Sequence, residues 1–178
     1  MLDAAVALKR YPFLGREFLT WLWFLTETDA DAVAEAAGES VVVVVGNRIT
    51  LEKHRGDDVE RVAIRGEAAQ MEEGLVALRK GALVSEVNLS VEIADQAYSV
   101  NVRGADLAVG SLKTPSTGPV RIVDEMEGAI LEKAGLLEKA LQVLDSLFYA
   151  FIRLRISDAW AEEMKKVRRW VSQAAEED

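Results

Sequence analysis

The chain has 178 residues, half of them apolar, with 30 acids against 21 basic residues and a formal net charge of -9. That size and apolar share support one sizeable buried core, and the density of charge excludes a membrane class. The acidic balance repels polyphosphate on average, so any nucleic-acid contact needs a local basic patch set against that field. Cysteine is absent, which removes disulfides and thiolate metal sites. The sequence shows no signal-like or membrane-spanning stretch, and the chain reads as cytoplasmic with no membrane partner.

Residues from Asp3 to Thr26 read as helical. Leu14, Phe18, Trp21, Leu22 and Leu25 share one face, and Leu19, Trp23 and Phe24 fill much of the rest. A helix apolar nearly all round is buried on several sides, and Pro12 breaks or restarts it. Asp29 to Ser40, alanine-rich and acidic, predicts a short helix ended at Gly38. The period then changes. Val41 to Val45 is a β-branched run, Gly46-Asn47 a turn pair, and Arg48 to Lys53 alternates, which together predict a hairpin. A second turn at Gly56-Asp57-Asp58 leads into a strand from Val59 to Arg65, with Val62 and Ile64 inward and Arg61 and Arg65 outward.

Glu67 to Lys80 is an amphipathic helix through Ala68, Met71, Leu75 and Leu78, stopped at Gly81. Next, Val87, Leu89, Val91 and Ile93 alternate with Glu86, Asn88, Ser90 and Glu92. A turn at Asp95-Gln96 returns the chain through Tyr98, Val100 and Val102, and Asp106 to Leu112 adds a short edge strand. Such polar faces imply an antiparallel sheet covered on one side. Lys113 to Pro119 is a linker or exposed loop. Beyond it, Ile130, Ala134, Leu137, Leu141, Leu144, Phe148 and Phe151 form a heptad seam. A second stripe, Leu136, Ala140, Val143, Leu147 and Leu154, lies beside it. Ser157 is the expected N-cap of a last helix with Trp160, Met164, Val167 and Val171 on one face.

The expected fold is α+β: a mainly antiparallel sheet of five or six strands, helices on one face, and a long C-terminal helical pair. Residues 1–112 form the α+β part, 113–119 the linker, and 120–178 a helical region packed on it as one structural unit.

The residues assemble no catalytic site and imply no cofactor. His54 is the single histidine and sits between Lys53 and Arg55, whereas a metal site needs three or four converging ligands. There is no G-x-S-x-G elbow. Gly46-Asn47-Arg48 lacks the glycine spacing and the following helix of a phosphate cradle. Asp57-Asp58, Glu72-Glu73 and Glu162-Glu163 are adjacent acids, while a metal nuclease needs acids converging from separate elements. Glu86 and Glu92 share a sheet face but stand about 20 Å apart along it. Trp21 and Trp23 lie in the densest apolar segment and belong to the core; for Trp160 and Trp170, beside basic residues, packing and base stacking are both open.

One feature has functional colour. Arg153 and Arg155 end the long helix, and Lys165, Lys166, Arg168 and Arg169 crowd the next, against Asp158, Glu162 and Glu163. These six cations are the candidate DNA-binding patch. The same pattern also fits cations placed at the negative ends of helix dipoles.

The segment Phe13-Leu14-Gly15-Arg16-Glu17-Phe18-Leu19-Thr20-Trp21-Leu22-Trp23-Phe24 resembles the start of the C-terminal part of the RdgC family of recombination-associated proteins. Further pieces are similar in the same order: Arg61 to Val84 with Ala77-Leu78-Arg79-Lys80-Gly81, the strand pair from Glu86 to Arg103, and Leu147 to Arg155. The resemblance implies a non-enzymatic protein that binds double-stranded DNA as a ring-shaped homodimer and restrains recombinase activity. The family's N-terminal half has no counterpart here, so a separate chain is expected to supply it. No DNA contact carries over residue by residue, and the six cations rest on charge alone. The alternative expectation is a structural self-association module on the heptad seam, without nucleic-acid binding; a metal-dependent nuclease is the third.

Overall fold

A computed structural model describes residues 4–38, 41–66, 71–118 and 126–173. Among them the chain runs α1 (Ala4–Arg10), α2 (Phe13–Thr28), α3 (Ala30–Ala37), β1 (Val41–Arg55), β2 (Asp58–Arg65), α4 (Met71–Arg79), β3 (Leu83–Ile93), β4 (Gln96–Arg103), β5 (Val109–Lys113), α5 (Met126–Arg155) and α6 (Trp160–Gln173). The fold is α+β. Its five strands form one sheet in the order β2-β1-β3-β4-β5, with every neighbouring pair antiparallel. Asp3, Ser40, Glu67, Ala68 and Pro119, at the edges of expected elements, lie outside the described residues.

Period-two alternation decides which face of the sheet is covered. Ile49, Leu51, Ile64, Val87, Leu89, Val91, Tyr98, Val100 and Val102 are buried, while Ser90, Glu92 and Arg103 on the other face are exposed. Helix α2 lies across the covered face against β3 and β1. Its expected all-round burial is observed: Phe18, Leu19, Leu22 and Trp23 are at most 1% exposed. Side chains on its far side meet the C-terminal helices in an aromatic cluster. The Phe18 ring lies 5.3 Å from Phe148 and 5.6 Å from Phe151, and Trp23 lies 5.3 Å from Trp170.

Two residues of the Phe13–Phe24 block owe their identity to this docking. A Cβ on Gly15 would stand 1.9 Å from the Gly104 carbonyl oxygen, so only glycine lets α2 approach the turn after β4. The Thr20 hydroxyl donates to the Arg16 carbonyl at 2.8 Å and accepts the Val84 N–H at 2.9 Å, joining α2 to β3.

Three expectations are corrected. Gly46-Asn47 is not a hairpin turn. Val45 pairs with Leu89 and Ile49 with Val87, so three residues of β1 stand opposite Asn88 alone and the strand continues through a bulge. Gly46 fits there because a Cβ would meet Asn88 Oδ1 at 2.3 Å. The β3–β4 turn is Ala94-Asp95, with φ of 48° and 65°, and Gln96 already pairs with Ile93. The Ser157 hydroxyl donates to the Leu154 carbonyl at 2.8 Å and closes α5 instead of capping α6. The heptad seam itself is buried in part: its second stripe feeds the core from Leu136 and its first from Leu144, while Ile130 and Leu141 are 61% and 42% exposed.

Candidate nucleic-acid interface

The six candidate cations sit on the last turn of α5 and along α6, and they do not share one environment. Arg155 is tied inward. Its Nε donates to Glu17 Oε2 of α2 at 2.8 Å, and its guanidinium lies 5.1 Å over the Trp160 ring. Lys165 pairs with Glu162 at 2.6 Å, both exposed. Lys166 pairs at 2.9 Å with Glu163, a buried carboxylate that also accepts the Trp21 Nε1 N–H at 3.1 Å. Arg153, Arg168 and Arg169 are exposed and have no ion pair among the described residues.

At about 100° per residue, Lys165 and Arg169 occupy the outermost side of α6, with Lys166 and Arg168 on opposite flanks. Arg153 and Lys166 line one groove of about 780 Å³ between α2–α3 and α5–α6, and Glu35 and Glu163 share its walls. Arg168 lines a separate cleft of about 270 Å³ with Glu17, Trp21 and Trp160. The structure therefore brings Arg153 and Lys166 together, with acids between, and sends Arg168 elsewhere.

Trp160 and Trp170 are packing residues. Trp160 meets Phe151 edge-on at 5.7 Å, and Trp170 meets Trp23 and Phe24 at 5.3 and 5.6 Å. Base stacking needs an open ring face; Phe151, Trp23 and Phe24 crowd these rings, and the Arg155 guanidinium lies over Trp160. Among the described residues, no three His, Asp or Glu side chains converge as a metal site would require. His54 Nε2 lies 3.6 Å from Glu52, a carboxylate that Arg61 holds at 2.6 Å. At the far edge of the sheet, the Arg103 side-chain hydrogen bond at 2.9 Å holds the Asp106 carboxyl below its ordinary range, against a smaller opposing effect of burial.

Alternation predicts Arg48 and Arg65 as outward strand residues but cannot show that they are neighbours. The β1–β2 register makes them direct cross-strand partners, next to the buried pair Ile49 and Ile64. They point to the open face, and neither has an ion pair among the described residues. Arg48 Nε is shielded from solvent without a hydrogen-bond partner. No family model matches this chain, and neither a curated protein nor a solved structure does.

Proposed function

We propose that this chain is a non-catalytic, sequence-nonspecific DNA-binding protein that modulates recombination. The observation that carries it is the block from Phe13 to Phe24, which resembles the RdgC family. The charge on α6 supports it: four cations against two acids, in a chain of net charge -9. An exposed ion pair such as Lys165–Glu162 is worth about 0–1 kcal/mol, little enough for a phosphate to displace the carboxylate. Arg155, fastened to Glu17 and Trp160, instead holds the end of α5 in place. Contact then falls to Arg153, Lys165, Lys166, Arg168 and Arg169. Anisotropy of a labelled random duplex should show binding that weakens by about 0.9 log units per log unit of salt for each phosphate neutralised. Arg168→Glu with Arg169→Glu should weaken it further. No binding at micromolar protein in low salt overturns the reading.

A second reading, self-association of the chain, is favoured by the outer half of α5. Ile130, Leu131 and Leu141 are exposed there. With Ile130 and Leu137 at d and Ala134 and Leu141 at a, Lys133 falls at g and Glu138 at the following e. Those positions bring opposite charges together between two parallel copies. Light scattering at high protein concentration should find a dimer that Ile130→Glu with Leu141→Glu dissociates while far-UV circular dichroism stays unchanged. A monomer at every concentration overturns it.

A further inference from the structure

We propose that Arg48 and Arg65 form an oxyanion site on the open face of the sheet, one that takes a phosphate group. Like charges directly opposite each other on a sheet are destabilising, because the Cβ atoms of such a pair lie only about 4.5–5.5 Å apart. Among the described residues no acid pairs with either arginine. Glu52, the acid of β1 on that face, holds Arg61 at 2.6 Å. Glu86 stands opposite Thr50 and pairs across to Arg103 on β4, whose charge it favours. The Arg48 Nε N–H is shielded from solvent and has no acceptor among the described residues, and an unpaired shielded donor is costly. Arg48 is the last residue of the bulge, and bulges re-aim side chains near binding sites. Arginines at directly opposed strand positions suit a tetrahedral oxyanion, which can accept from two guanidinium forks.

The phosphate has two possible sources, a nucleic-acid backbone or free polyphosphate, and only the first rests on the function proposed above. The test compares the full chain with its Arg48→Gln/Arg65→Gln variant in two measurements. In thermal melts, tripolyphosphate should raise the Tm of the unmodified protein above that in chloride of equal ionic strength, and the variant should not respond. In duplex anisotropy at low salt, the variant should bind roughly tenfold more weakly, with a salt slope smaller by about 0.9. Arg65→Gln alone, at an exposed position, serves if the double variant does not fold. In chloride it should melt about 1–3 °C higher than the unmodified protein, because the repulsion is gone. A duplex effect without a tripolyphosphate effect assigns the site to a nucleic-acid backbone, and the converse assigns it to free phosphate. If the unmodified protein binds no duplex yet responds to tripolyphosphate through these arginines, the site stands and DNA binding falls. If the variant matches the unmodified protein in both measurements, the site is wrong, whatever the duplex affinity.

Discussion

Thr20 sits inside a helix, where a hydroxyl bonded back to the preceding turn is usually slightly unfavourable. Here the same oxygen accepts the N–H of Val84, a residue with 0% exposure at the point where β3 shifts register against β1. Thr20→Val keeps the shape and removes the acceptor, leaving a buried N–H unsatisfied. The expected loss is about 1–3 kcal/mol in urea denaturation, with Thr20→Ser retaining most of the stability. Equal losses for Val and Ser would show that the bridge contributes nothing. Asp106 offers a second test at this scale. Arg103 holds its carboxyl below the ordinary value of about 3.9. A carboxyl depressed on folding adds stability above its unfolded pKa and loses it as pH falls through the lower folded value. Titration of the Asp106 side chain by NMR should give a value below the ordinary range, restored by Arg103→Gln. Identical titration in both proteins counts against the pair.

The β3–β4 hairpin carries a cost in its turn. Ala94 and Asp95 both have positive φ, 48° and 65°, the arrangement that two-residue hairpins favour and that Asn-Gly fits best. Replacing Ala94 with Asn and Asp95 with Gly should stabilise the protein by about 1 kcal/mol or more, since the left-handed region costs most residues about 1–2 kcal/mol. A lower urea midpoint in that variant would contradict the turn geometry. This turn also shows what the sequence hides. Strands β3 and β4 are legible because their side chains repeat every two residues, but Ala94 carries no turn signal, so the expected turn falls one residue late. At Gly46-Asn47 the signal is real and its meaning is not local. The pair marks a bulge over Asn88, more than 40 residues away, and only the β1–β3 register distinguishes that from a hairpin. The seam of α5 is legible in part for a related reason: a heptad pattern reports which residues are apolar, not how far the partner helices extend.

For the molecule as a whole, the candidate site was legible as charge and illegible as geometry. A run of cations on a helical pattern is visible in any sequence, but Glu17, the partner of Arg155, lies 138 residues earlier. Helix α2 is what brings such distant segments together. One side of it packs on the sheet and the other on α5 and α6, so the sheet and the C-terminal helices share their largest buried side chains. All four tryptophans surround this helix or lie within it. If the C-terminal helices were a separate unit, tryptophan fluorescence and far-UV circular dichroism would report different urea transitions. A shared core requires them to coincide. Leu147, with 0% exposure on α5, makes the demand sharper. Leu147→Ala should cost about 2–5 kcal/mol, and because the core is common it should lower both midpoints equally. Leu141→Ala, at a half-exposed position of the same helix, should cost under about 1 kcal/mol. A Leu147→Ala protein whose fluorescence and far-UV dichroism transitions separate would show two units touching, not one core.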